Sequence, residues 1–353
     1  MRKAVQTPKL ELSHGSATRY YDAYVKRIPS LDGLRAISIS LVVVGHLGYA
    51  GRAPQFLSEY ANLGVRIFFV ISGYLITSIL LREHSRTGTI SLRDFYIRRA
   101  YRIFPAAFCF IFVIVLLYWH TLRWYDIGAA LLYLVNFDFA RPWIIGHLWS
   151  LSVEEQFYFL WPSVLKKWHQ HRIAILWAVV LAGPFARAAF TYFHIADGAY
   201  GNLLTVGDNL ATGCLLAMFS DRIPRISWQA ATLMTIALAL IPLYDANTRL
   251  RTVVALFVLS PLLNFSIASI LLHVVRRPYR ILNLAPVVWL GNISYSLYLW
   301  QQPFFDRLAP VRYGVLWALG LACVSYYVVE KPMLRARDRL ASASKYTTVT
   351  MAA

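Results

Sequence analysis

Charge is scarce in this chain. Only 15% of its 353 residues are Asp, Glu, Lys or Arg, whereas a soluble domain carries about a quarter. The shortage is mainly acidic: 17 Asp and Glu stand against 35 Lys and Arg, a formal net charge of +18. Cysteine is sparse too. Cys109, Cys214 and Cys323 each fall inside an apolar run, without a C-x-x-C or other metal-ligand spacing. They are expected to be small buried hydrophobes. No G-x-x-x-x-G-K-[ST] phosphate cradle and no His/Cys/Asp cluster of metal spacing occurs, so neither a P-loop nor a metal centre is expected. The first thirty residues are polar and basic without an apolar centre, so no cleavable signal peptide is expected and the first span should act as an uncleaved anchor. No repeat and no appended soluble domain is visible.

What is abundant is apolar length. Hydrophobic residues make up 58% of the chain, in runs near twenty residues separated by short basic or Pro/Gly-bearing links. This predicts an all-α integral membrane protein, a polytopic bundle of about ten transmembrane helices with one short re-entrant or interfacial segment. The expected spans are Leu31–Gly51, Ala61–Leu81, Ile103–Leu122, His147–Leu165, Ile173–Phe193, Leu203–Phe219, Trp228–Leu243, Val253–His273, Pro286–Phe305 and Tyr313–Val329. Ile127–Phe139 is too short to cross and is expected to turn back, since a spanning helix needs about twenty residues. That choice returns Lys166, Lys167 and Arg172 to the cytoplasm. Roughly 26 Lys and Arg then lie in inner segments against about seven in outer ones. Residues 1–29 form a basic cytoplasmic tail, 30–339 the membrane domain and 340–353 a cytoplasmic C-terminal tail. Cations between spans suit an anionic inner leaflet, not nucleic acid.

Ionisable residues inside spans are costly and usually functional. Arg35 and His46 share the first span. On one helix they lie roughly 16 Å apart along the axis, a cation at one face and an imidazole deep toward the other. Neutral imidazole accepts a proton near pH 7. Glu154 and Glu155 sit just inside the outer end of a later span. They point about 100° apart, so one is expected to face His46 and orient it as a triad carboxylate does. An ion pair with Arg66 or Arg187, also within spans, is the alternative. His147 is expected at the interface. The link Arg82–Arg102 holds six arginines and is interleaved with Tyr96 and Tyr101. Arg98 and Arg102 fall on one helical face, and arginine suits planar phosphate recognition.

Five stretches resemble the membrane acyltransferase 3 family, O-acetylases of bacterial surface glycans. They are LDGLRAI with R-x10-H, the arginine link RDFYIRRAYRIFP, WSLSVE with the family's WSLxxE form, GNISYSLYLWQQP and YYVVEKPMLR. The resemblance covers about Pro29 to Arg339. It implies His46, Glu154 and Arg35 as catalytic residues. It implies a cytoplasmic coenzyme A dock at Arg93, Arg98, Arg99 and Arg102, with acetyl-CoA as donor and no metal. Glu155, Tyr298, Trp300 and Gln301 are assigned to acceptor binding. The family commonly has Trp-His where this chain has Trp300-Gln301; glutamine keeps hydrogen bonding but cannot act as a base. Glu330-Lys331-Pro332 reads as a charged, helix-breaking stop.

The implied function is transfer of acetyl from cytoplasmic acetyl-CoA to a hydroxyl of a polysaccharide, lipopolysaccharide or lipid-linked glycan. The place is the bacterial cytoplasmic (inner) membrane, multi-pass, with both termini cytoplasmic, membrane lipid as surroundings and no nucleic-acid partner. His46 would act as base for direct attack or as a covalent acyl relay. A transporter or lipid-binding membrane protein without bond chemistry, and an O-succinyltransferase, are the competing readings.

Overall fold

A computed structural model describes residues 29–194, 201–220, 222–223, 227–240, 249–306 and 312–339. Apart from Pro29, both expected tails lie outside the described residues. The described residues form helices and connecting turns, with no strand among them.

The first helix, α1 (Pro29–Tyr49), begins on a proline, where a missing N–H is tolerated. The chain then turns through Gly51, at φ 69°, a conformation glycine adopts without strain. A 3₁₀ turn leads into α2 (Glu59–Thr87), which stops at Gly88 in the left-handed conformation. α3 (Leu92–Tyr118) starts eleven residues before the expected span. The Ser91 side chain caps it, accepting from the Asp94 N–H. The arginines expected in a link therefore ride on the helix itself. Pro105, expected in a first turn, falls inside α3.

α4 (Trp124–Leu131) descends beside α3, and Tyr133 packs against Phe104. The chain then returns: Arg123 Nη2 lies 2.5 Å from Asp126 and 3.5 Å from Asp138, and donates to the Ala140 carbonyl. The short segment thus enters and leaves at one end of the bundle. A single turn, α5 (Trp143–Gly146), leads to α6 (Leu148–Lys167). Then follow α7 (Arg172–Tyr192), α8 (Leu203–Phe219) and α9 (Trp228–Leu240). α10 (Arg249–Val254) continues through a π-helical turn, Ala255–Leu259, into α11 (Ser260–Arg276).

The expected span Pro286–Phe305 is a broken helix. α12 (Ala285–Asn292) and α13 (Ser294–Gln301) meet at Ile293 and end in a 3₁₀ turn. Last comes α14 (Gly314–Val324), continued by a π-helical turn, Ser325–Glu330. The helix runs on through Pro332 to Arg339, so the expected stop at Glu330–Pro332 is corrected. The wider π turn just before Pro332 adjusts the hydrogen-bond register where the proline N–H is missing.

Among the described residues, six helices are long and apolar enough to cross a membrane: Ser30–Tyr49, Gln55–Thr87, Leu92–Tyr118, Arg172–Tyr192, Thr252–Arg276 and Gly314–Arg339. α6 has the length but carries Glu154, Glu155, Lys166 and Lys167; α8 and α9 are shorter. Six of the ten expected spans are thus supported among the described residues, and the count of ten is not confirmed. The Gln55–Thr87 span is 61% buried and Arg172–Tyr192 only 22%, which puts α2 at the centre and α7 at the apolar rim. Glycines allow the central crossings. A Cβ on Gly73 would strike the Leu210 carbonyl and one on Gly213 that of Val70, so α2 and α8 pack backbone to backbone.

Candidate active site

α1 carries Arg35 and His46 on one unbroken helix, as the spacing requires. At the His46 end, imidazole Nδ1 lies 2.7 Å from Gln301 Oε1. Gln301 is fully buried, at the end of α13, and its amide nitrogen faces the Tyr298 carbonyl at 3.5 Å. That second contact orients the amide, because the reverse placing would set two oxygens face to face. Nδ1 is then the protonated nitrogen, donating to Gln301, and Nε2 keeps its lone pair. Trp143 meets the ring edge-on at 5.7 Å and anchors itself by Nε1 to the Gln302 carbonyl.

Glu154 is elsewhere. Its Oε1 accepts from Ser72 and, at 2.5 Å, from the Tyr158 hydroxyl. The structure shows no hydrogen bond between Glu154 and His46, so the expected triad pairing is replaced by Gln301. Nor does Glu154 pair with Arg66 or Arg187. Arg187 is bound through both Nη atoms to Asp208 at 3.0 Å, and Arg66 donates to Ser260 and Asn264. Asn264 also donates to Asp208 at 3.2 Å, so one buried polar network ties α2, α7, α8 and α11 together. Asp208 was not singled out in the sequence.

The charge facing Glu154 and Glu155 is Arg99. Its guanidinium lies 3.7 Å over the Tyr158 ring, a cation–π contact that holds it flat. Its Nε has no hydrogen-bond partner among the described residues. Glu155 is half-buried near Arg99, Glu154 and Tyr133. Arg102 sits among Arg35, Arg99, Tyr158 and Glu330. Arg35 is braced by Asp32 at 2.8 Å. Glu330 is 3% exposed, accepts from Ser296 Oγ at 3.1 Å, and faces Arg102 and Arg35. Arg35 and Arg102 therefore converge on the buried Glu330 at one end of α1, with Arg99 beside Arg102.

The other expected donor-site arginines diverge. Arg98 pairs with Glu83 at 3.4 Å and Arg93 is exposed on the first turn of α3. Tyr298 and Trp300 are each 6% exposed. The Tyr298 hydroxyl donates to the His147 carbonyl and lies 2.5 Å from Ser150 Oγ; Trp300 packs on Phe110. His147 is 2% exposed, its Nε2 donating to the Leu299 carbonyl. Sequence reading missed Glu330, Ser296, Ser72 and Tyr158. Glu330 carried the one usable signal, a carboxylate at the end of an apolar run, and was taken for a stop.

No group of three or more His, Cys, Asp or Glu suited to a metal occurs among the described residues. The arrangement is an imidazole oriented by Gln301, some 16 Å along one helix from an arginine cluster able to take several phosphate oxygens.

A family model described as an acyltransferase domain matches residues 28–329. The peptidoglycan O-acetyltransferase OatA of Listeria monocytogenes is 30% identical over 332 residues, covering 83% of this chain and 51% of that protein. YrhL of Bacillus subtilis, provisionally named a peptidoglycan O-acetyltransferase, is 31% identical, covering 87% of this chain and 55% of its own length. A provisionally named O-acetyltransferase of Staphylococcus aureus is 28% identical over 80% of this chain and 52% of its length. The chain thus spans about half the length of these curated relatives. No solved structure matches it significantly.

Proposed function

Since the chain belongs to the acyltransferase domain family, we propose that it is a membrane O-acetyltransferase. It moves acetyl from acetyl-CoA to a sugar hydroxyl of a surface glycan, in the cytoplasmic membrane of a bacterium. The names of the relatives favour a peptidoglycan-type acceptor. The observation that carries this reading is that α1 joins a Gln301-held His46 to Arg35, which Arg99 and Arg102 of α3 extend into a cluster.

In this reading the arginine cluster takes the pyrophosphate of the donor, and the pantetheine arm runs along α1 toward His46. Its extended length of about 15–20 Å is comparable to the axial distance between Arg35 and His46. The acceptor hydroxyl oxygen attacks the thioester carbonyl carbon while His46 Nε2 takes the hydroxyl proton. The C–S bond breaks as the tetrahedral intermediate collapses, and the thiolate leaves with that proton. Gln301 holds the base in its working tautomer, a positioning role. Glu154 steadies Tyr158 under Arg99.

The test is purified protein given acetyl-CoA and a glycan acceptor. Wild type should transfer acetyl, and His46→Ala should lose transfer while still inserting and binding donor. A protein that neither binds nor consumes acetyl-CoA would be a transporter or lipid-binding protein instead. Acetyl trapped on His46 in the absence of acceptor would replace direct attack by a covalent relay.

A further inference from the structure

The arginine end of the bundle carries a second basic feature that the transfer step does not use. A groove of about 400 Å³ is lined by His84, Lys167, Trp168, His169, Gln170 and His171, with no carboxylate. His84 lies in the last turn of α2 and His169 in the turn between α6 and α7; their rings stand 4.8 Å apart. Trp168 is half exposed, with Lys167 Nζ 5.4 Å from its ring. Arg172 donates to the His169 carbonyl at 2.8 Å and adds a cation alongside. A basic inner face alone explains the charges, but not three imidazoles and an indole gathered around one opening.

The groove is placed by its walls. Glu83, next to His84, pairs with Arg98, and Tyr96 donates to the Phe159 carbonyl of α6 at 2.8 Å. The first turns of α3 therefore touch both sides of it. From Tyr158, beneath Arg99, α6 runs about 13 Å further to Lys167. From Ser72, the partner of Glu154, α2 runs about 18 Å to His84. The groove thus lies beyond the arginine cluster, on the side away from His46.

We propose that this groove binds the 3′-phosphoadenosine end of the thioester donor. His84, Lys167 and His169 take the 3′-phosphate, and Trp168 lies against the purine. The proposal rests on the acetyl-CoA reading above. With the thioester at His46 and the pyrophosphate at the arginines, the nucleotide has to project past them, toward this groove. A phosphate monoester offers three acceptor oxygens and close to two charges, which suits donors spread over several side chains better than a single ion pair.

The experiment compares acetyl-CoA with acetyl-dephospho-CoA, which lacks only the 3′-phosphate. It uses the full chain in nanodiscs of zwitterionic lipid. Wild type should show a KM about tenfold lower for acetyl-CoA, the worth of one charge-assisted phosphate contact. The variant H84A/K167A/H169A, and more mildly K167Q alone, should bring the two KM values together with kcat at saturating donor unchanged. Equal KM values in wild type, or a preference retained in the triple variant, would overturn the proposal. So would a triple variant that changes only the response to added phosphatidylglycerol, which would make the groove a lipid-headgroup site. Loss of turnover with both thioesters in wild type would instead remove the acetyl-CoA reading itself.

Discussion

Replacing Gln301 tests the site most sharply, because the side chain touches His46 and lies far from the arginines. Gln301→Met keeps length and apolar bulk but removes the oxygen that accepts the Nδ1 proton at 2.7 Å. Two losses combine. One neutral buried hydrogen bond is worth about 0.5–1.5 kcal/mol. Freed of its partner, the ring also exchanges tautomers and rotates, and an unaligned base forfeits part of the roughly 10²–10⁴-fold that positioned base catalysis supplies. Together they predict a fall in kcat of about 10- to 100-fold, or about 1.4–2.7 kcal/mol. The KM for acetyl-CoA should stay within about twofold, because Arg35 is some 16 Å away along α1. Gln301→Glu restores an acceptor oxygen and should recover most of the loss. Steady-state acetyl transfer to a soluble glycan acceptor reads both parameters. A Gln301→Met enzyme with normal kcat, or with its whole defect in donor KM, would refute the assignment of Gln301 as the residue that positions His46.

Other outcomes follow from the same geometry. Arg99→Ala and Arg102→Ala should each raise the acetyl-CoA KM ten- to a hundredfold, the effect of losing about 1.5–3 kcal/mol of charged hydrogen bonding, whereas exposed Arg93→Ala should leave it unchanged; steady-state kinetics decide. Asp208→Asn strands a buried Arg187 and should destabilise the bundle by about 3–5 kcal/mol, while replacing both residues with leucine should recover most of that; thermal unfolding in detergent reads it, and an unchanged midpoint in Asp208→Asn would count against the network. Burial, then Arg172 and His84, hold the His169 imidazole below its ordinary 6.5. Below that value the folded groove binds fewer protons than an unperturbed ring would, and a bound phosphate reverses this by favouring the charged form. Donor KM should therefore fall as pH drops from 7 toward the lowered value, and His169→Asn should flatten that slope.

Much of this was visible in the residues themselves. The Arg35–His46 spacing needed only the rise of a helix, and α1 is unbroken between them. The short apolar piece after α3 announced its return by length alone. The start of α3 was legible too, as Ser91 with Asp94 three residues on, but hydropathy drew attention to the later apolar edge at Ile103. Pairing was not legible. Two adjacent glutamates and a glutamine offer similar chemistry to an imidazole, and only the crossing of α13 over α1 selects Gln301. Glu330 read as a terminal charge because its partners, Arg35 and Arg102, lie far away in the chain. Arg98 and Arg102 stand one turn apart on α3, yet their partners differ: Glu83 at the end of α2 takes the first and Glu330 faces the second.

By itself, then, the sequence determined that this chain is helical and apolar, which residues carry charge into the spans, and how far apart they stand along each helix. Those are properties of periodicity and rise, and they need no neighbours. The tertiary structure alone decided which charges meet. The packing of glycine-lined central helices brings side chains from α1, α3, α6, α13 and the last helix together, and desolvation makes each encounter matter.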